Sequence, residues 1–320
     1  MMKKHLSNKQ QRQITKRQAE HLTSTARGLV LAHYGDSIEV ETAEKKLIQC
    51  SFRQNLPSIV VGDYVVFEQD KNHPDQASLL AHEPRRTEMW RRNKEGEIKL
   101  IAANIDQVLI VIATEPKRAE EVLDRYLIMT ALQKLNSIIV VNKIDLLTPS
   151  ELANKKAYYA SYQERGSPVL FVSEKKEVSI TPLAALLKNK SSVFVGLSGV
   201  GKSSLIQSLL PHETLRTSDL SISGKTKMGR HTTSNARLYH LTTGGDIIDS
   251  PGIREFAMQN LSQTEIEQGF PEFHNHLPNC KFRNCQHLQE PHCGIRLAIE
   301  KNEISQKRWE SYTKILLSSS

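Results

Sequence analysis

Cysteine is scarce in this chain, with four in 320 residues. That count excludes a disulfide-stapled scaffold, because small secreted domains of that kind are dense in the residue. Long apolar runs are missing as well. Val108 to Ala113 and Ile138 to Val141 have the size of core strands, not of a membrane span. The first residues lack the apolar centre of a secretory signal. The expectation is a cytoplasmic protein with no membrane partner. Acidic residues are the minority charge, 35 Asp and Glu against 43 Lys and Arg, which leaves a net charge of +8. A basic excess of that size points to a polyanionic partner.

The charge is not spread evenly. Residues 1–20 hold Lys3, Lys4, Lys9, Arg12, Lys16 and Arg17 against one acid, Glu20. Such a segment has too few apolar residues to order itself and reads as a basic tail that settles on nucleic acid. From Arg27 to His82 the pattern turns to short strands: Gly28–Tyr34, Ser37–Thr42, Lys46–Phe52, Asp63–Glu68 and Ala77–Ala81. Five short strands separated by turn residues suit a small barrel of the OB type over residues 21–83. The stretch 84–99 reads as a basic linker, with Arg85, Arg86, Arg91, Arg92 and Lys94 around Trp90. Arginine beside an aromatic ring can pair with phosphate and stack on a base.

Residues 100–258 alternate strand and helix, as in a doubly wound α/β domain. At their centre stands Gly196-Leu197-Ser198-Gly199-Val200-Gly201-Lys202-Ser203-Ser204, the pattern G-x-x-x-x-G-K-[ST], after a strand pattern and before a helix pattern. Glycines let the backbone N–H groups turn inward onto phosphate oxygens, and the helix start behind them adds a positive dipole end. Lys202 is expected to reach the β- and γ-phosphates, and Ser203 to hold Mg²⁺.

A second motif, Asn142-Lys143-Ile144-Asp145, sits at a strand end. A carboxylate at Asp145 can accept both N1–H and the 2-amino hydrogen of guanine, a donor pair that adenine lacks. Ser173, in Ser173-Glu174-Lys175, is expected near the same base. A third motif, Asp249-Ser250-Pro251-Gly252, would offer a carboxylate toward Mg²⁺ and an N–H toward the γ-phosphate. Thr232 or Thr233 supplies a further hydroxyl for Mg²⁺. Ordinary GTPases run the phosphate loop first and the guanine motif later; here the order is reversed, a circular permutation. The chain therefore leaves the GTPase just after its γ-phosphate sensor. Where Ras-like enzymes carry a water-orienting glutamine, this chain has Ile253, so intrinsic hydrolysis should be slow. His231 is the nearest candidate substitute, or else a residue that contacts RNA.

The last 62 positions, 259–320, hold Cys280-x4-Cys285-x-His287-x5-Cys293. Three thiolates and an imidazole make a closed tetrahedral set for one structural Zn²⁺. His274, His276 and His292 are nearby spare histidines. Gly294–Leu317 reads as one basic helix, with Arg296, Lys301, Lys307 and Arg308.

Taken together, the chain resembles the circularly permuted GTPase of small ribosomal subunit biogenesis, the RsgA (YjeQ) family. The carrying residues are Asn142–Asp145, Gly196–Ser204, Gly229-Arg230-His231-Thr232-Thr233, Asp249–Gly252 and the Cys280, Cys285, His287, Cys293 set. The family's third switch threonine is Ser234 here. The resemblance implies an N-terminal OB-type barrel, a permuted P-loop GTPase domain and a C-terminal zinc-binding α domain. It also implies a cytoplasmic enzyme that binds GTP and GDP, meets 16S rRNA on the 30S subunit late in its maturation and hydrolyses GTP there; a monomer is the separate expectation. Two other classes remain at this stage: a P-loop kinase of a small molecule, and a nucleic-acid-binding module whose GTP site is a non-catalytic switch.

Overall fold

The computed structural model describes residues 26–35, 37–51, 58–70, 73, 76–93, 96–114, 122–175, 177–210, 236–250, 256 and 260–319. The basic tail, His231 to Ser234, and Pro251 to Glu255 lie outside the described residues.

Five strands come first: β1 Ala26–Tyr34, β2 Ser37–Thr42, β3 Leu47–Ser51, β4 Tyr64–Gln69 and β5 Gln76–His82. Their order is β1-β2-β3-β5-β4, and β4 pairs back to β1, so the sheet closes. The β3–β5 contact is parallel and the others are antiparallel. Alternation explains the closure: in β3, Ile48 and Cys50 point inward while Leu47, Gln49 and Ser51 point out. Inside, Val30, Ile38, Val40, Val65, Phe67 and Leu79 form a core of their own.

Residues 84–99 are not a plain connector. They carry β6 Glu88–Arg92 and the start of β7 Ile98–Ala103, which pair as an antiparallel hairpin. Three of the arginines there are paired with carboxylates of the chain itself. Arg85 makes a bidentate pair with buried Asp63, at 2.7 and 2.9 Å, which is the geometry a guanidinium fork favours. Arg86 meets Asp106 at 2.9 Å, and Arg92 meets Glu265 at 2.6 Å.

The α/β domain follows: β8 Gln107–Ala113, α1 Leu123–Leu132, β9 Asn136–Asn142, α2 Pro149–Glu164, β10 Val169–Phe171, α3 Glu177–Leu187, β11 Ser191–Val195, α4 Lys202–Leu209, β12 Arg237–His240 and β13 Asp246–Asp249. The strand order is β10-β9-β8-β11-β13-β12, all parallel except β12. Every residue of β8 is buried, as a strand covered on both faces requires. Thr148 and Glu151 form a capping box at α2, with Pro149 in its first turn.

Barrel and α/β sheet join where Ala32 of β1 pairs with Arg237 of β12. Arg237 donates to Tyr34 at 2.6 Å and to Glu39 at 2.8 Å. His240 lies 2.6 Å from Asp246 and 3.0 Å from Glu41. The Asp246 hydrogen bond raises its pKa above the ordinary histidine value, against the opposing effect of burial.

Three further helices close the chain: α5 Gln263–Gln268, α6 Gly294–Glu300 and α7 Gln306–Ser319. The expected single helix from Gly294 to Leu317 is thus two. Asn302 takes a left-handed φ of 59°, and the N–H groups of Glu303 and Ile304 both return to the Ala298 carbonyl. That wrap ends α6. It also turns Arg308 inward, where it pairs with Asp124 of α1 and, at 2.6 Å, with Glu272. Ser311 donates to the same Asp124. The C-terminal segment and the α/β domain share one continuous core, in which Phe256, Ile266, Phe270, Phe273 and Tyr312 are buried with β8 and α1. Phe256 stacks on Tyr126 of α1 at 6.5 Å. Arg308→Met should leave buried Asp124 without its cation and Glu272 with only Arg165, 3.7 Å away. The expected loss is about 3–5 kcal/mol in urea unfolding; a loss near zero would mean the pair is not load-sharing.

Candidate functional site

The Gly196–Ser204 loop leaves β11 and enters α4. Two glycines are required by their surroundings. Gly196 has φ +141°, and a Cβ there would lie 2.2 Å from the Val111 carbonyl oxygen. Gly201 has φ +94°, and a Cβ would lie 2.3 Å from Asn142 Nδ2. Lys202 folds over the loop and donates to the carbonyls of Gly196 at 2.8 Å and Leu197 at 2.7 Å. Ser203 and Ser204 open to solvent at the start of α4.

The guanine motif is tied to this loop. Asn142 Nδ2 donates to the Val200 carbonyl at 2.9 Å, and Lys143 Nζ to the Gly199 carbonyl at 2.6 Å. Asn142 Oδ1 is buried with no partner among the described residues. Lys143 adopts φ 62°, which turns the chain so that Asp145 faces Ser173. Ser173 Oγ donates to Asp145 Oδ1 at 2.6 Å, and Lys175 stands 3.2 Å from Oδ2. The Ser173 hydrogen bond, followed by Lys175, holds the carboxyl below the usual carboxylate range, with burial opposing. Asp145 is therefore an acceptor at neutral pH. Asp249 ends β13, which runs beside the loop strand β11. Of the residues expected at the chemistry, His231, Thr232 and Gly252 lie outside the described residues.

In the C-terminal segment the four expected ligands converge. One ligand atom from each of Cys280, Cys285, His287 and Cys293 lies within 4.8 Å of the others. His287 Nδ1 faces the sulfurs, 3.6 Å from Cys280 and 3.4 Å from Cys293. Its Nε2 lies 3.2 Å from Glu267 of α5. That carboxylate fixes the tautomer that leaves Nδ1 as the electron-pair donor. The Gly294 N–H donates to Cys280 Sγ at 3.3 Å. Burial pushes the Cys285 thiol up to about 12 and raises that of Cys293. Without a cation these thiols stay protonated; with one they become thiolate ligands. The donor set fits a metal ion held by three sulfurs and one nitrogen.

A sequence model of the family described as RsgA GTPase matches residues 82–259. The chain belongs to the RsgA GTPase family. A relative from Hahella chejuensis, named small ribosomal subunit biogenesis GTPase RsgA, is 41% identical over 299 residues, 92% of this chain and 84% of the relative. One from Pseudomonas aeruginosa with the same name is 38% identical, covering 99% of this chain and 98% of its own. Among solved structures, YjeQ from Thermotoga maritima superposes with a TM-score of 0.71 at 29% identity, covering 92% of this chain and 99% of its own. YloQ, described as a circularly permuted GTPase, gives 0.69 at 26% identity, with 93% and 96% covered. The RsgA-family fold is thus a closed five-stranded barrel, a permuted GTPase sheet and a C-terminal segment with a Cys3His cluster.

Two features of this RsgA-family chain escaped sequence reasoning. Glu267 had a signal: Ser262-x-x-Glu265 is a capping box, which marks the helix that carries it. The inward turn of Arg308 had none, because Asp124 lies 184 positions away. Among the described residues no helix is long and apolar enough to cross a membrane.

Proposed function

We propose that this chain hydrolyses GTP held between Gly196–Ser204 and Asn142–Asp145, binds the small ribosomal subunit, and acts in that subunit's biogenesis. The observation that carries the reading is the pair of bonds from Asn142 to Val200 and from Lys143 to Gly199. They hold a base-reading carboxylate at a fixed place relative to a phosphate loop. The relatives that match most of the chain supply the ribosomal half.

In this reading, loop N–H groups and Lys202 hold the phosphates, and Ser203, Thr232 and Asp249 serve Mg²⁺. When bound, Mg²⁺ neutralises charge that develops on the β- and γ-oxygens. The Gly252 N–H faces the γ-phosphate. His231 orients water in the place of the missing glutamine, and contact with the subunit brings it to that task. Cys280, Cys285, His287 and Cys293 hold one structural Zn²⁺, the metal that three sulfurs and one nitrogen in a closed set favour. The units run 21–83, 100–258 and 259–320; the protein works as a cytoplasmic monomer, with its exposed cations on 16S rRNA. Lys281, Arg283, Arg296 and Lys301 are exposed around the metal cluster and suit that contact.

The test is GTP turnover with and without purified small subunits. Subunits should raise the rate roughly tenfold or more, at least ~1.4 kcal/mol off the barrier. Subunit binding should be tighter with a non-hydrolysable GTP analogue than with GDP. An unchanged rate and equal binding in both states would remove the ribosomal half. Transfer of the γ-phosphate to a metabolite instead of water would replace the hydrolase by a kinase.

A further inference from the structure

Between α2 and α7 lies an open cavity of about 520 Å³, within the size range of small-molecule sites. Its lining residues belong neither to the phosphate loop and guanine motif nor to the metal cluster. Tyr158 and Tyr162 of α2 give it aromatic faces. Lys307 stands 5.4 Å over the Tyr158 ring and Arg165 5.7 Å over the Tyr162 ring. Lys307 and Lys314, both exposed, come from α7.

The charges around the cavity are not balanced. Arg165, Lys307, Arg308 and Lys314 line it with Asp124 and Glu310 as acids, and with Glu272 paired to the two arginines the excess is one positive charge. Arg308 is neutralised from behind, by Asp124 and by Glu272. Arg165 is not matched in that way. Its Nε lies 3.7 Å from Glu272 Oε1, the same oxygen that Arg308 holds at 2.6 Å. Its Nη1 is buried with no hydrogen-bond partner among the described residues. A buried guanidinium nitrogen without an acceptor is costly, and an anion in the cavity would draw it out to a partner.

Aromatic rings and a guanidinium plane beside two lysines suit a flat heterocycle that carries phosphate. We propose that this cavity binds a nucleotide, with its base against Tyr158 and Arg165 and its phosphate toward Lys307 and Lys314. The same chemistry is offered by a free nucleotide and by an unpaired nucleotide in an RNA strand. The site stands whether or not the proposed ribosomal role holds.

The full-length protein is first saturated with GDP and Mg²⁺, which fills the guanine site. It is then titrated by calorimetry, in separate arms, with adenosine monophosphate and with hexaadenylate; the carboxylate of Asp145 disfavours adenine at the first site. The 8-azido forms are crosslinked and mapped by mass spectrometry. Saturable binding beyond GDP is expected, with crosslinks in 157–165 or 305–314. Lys307→Ala with Lys314→Ala should weaken it about tenfold or more, because both cations lining the phosphate end are lost. GDP affinity should stay unchanged, which also reports that the double variant is folded. Binding of the monophosphate assigns the site to free nucleotides; binding of hexaadenylate alone assigns it to RNA. No binding in either arm, crosslinks only elsewhere, or full binding by the double variant overturns the proposal.

Discussion

Asp145→Asn should reverse the nucleotide preference, with GTP affinity falling by roughly 10²–10⁴ and xanthosine triphosphate becoming the better ligand. The cause is the loss of two charge-assisted hydrogen bonds to the guanine N1–H and 2-amino group, about 1.5–3 kcal/mol each. An amide presents a donor where the base also presents donors, while the 2-oxo group of xanthine accepts from that donor. Ser173 can still bond the remaining side-chain oxygen, because its hydroxyl already reaches Oδ1 at 2.6 Å. The loop contacts of Asn142 and Lys143 do not pass through Asp145. The variant should therefore fold and keep its phosphate grip. Competition binding with GTP, ATP and xanthosine triphosphate reads the result. Equal competition by ATP in the unaltered protein would sink the assignment.

Cys285→Ser should lower bound metal from about one equivalent to near zero. Structural zinc of this ligand type contributes about 10–16 kcal/mol of binding free energy to local folding, and a buried hydroxyl is a poor substitute for a thiolate. The damage should not stop at the cluster. His287 packs on Phe273 and Tyr312, with ring centres 6.3 and 5.8 Å away. Trp309 donates to the His287 carbonyl at 2.7 Å. Release of the metal should loosen α7 as well as the knuckle, and hydrogen exchange over 305–318 should speed up along with that over 280–294. Nucleotide binding should persist, because the phosphate loop and guanine motif draw on β8, β9 and β11. Metal analysis that finds none in the unaltered protein would end the idea.

The barrel strands, the α/β alternation, the phosphate loop and the cysteine set were legible because each rests on local spacing. Alternation marks β3, a continuous apolar run marks β8, and Lys202 follows its glycines at a fixed distance. What could not be read depended on partners far along the chain. The arginines at 85 and 92 look like a nucleic-acid patch until Asp63 and Glu265 appear beside them, 22 and 173 positions away. Arg308 counted toward a basic helix face, yet it is buried against Asp124. A charge in a sequence carries no sign of whether its counter-ion is solvent, phosphate or a distant carboxylate. The break between α6 and α7 was closer to readable, since Asn302 is a residue type that accepts the left-handed turn.

The permuted strand order also sets a sequence of events during synthesis. β10, β9 and β8 are made before β11, the strand that completes the pairing of β8. At about 5–20 residues per second, the gap between the end of β8 and the end of β11 lasts roughly 4–16 s. For that interval the nascent chain carries a strand that is apolar from Val108 to Ala113 with at least one open edge, the kind of template that invites wrong pairing. The half of the site that reads the base exists before the half that holds the phosphates. GTP can therefore stabilise this domain's folding on the translating ribosome only after Ser204 has emerged.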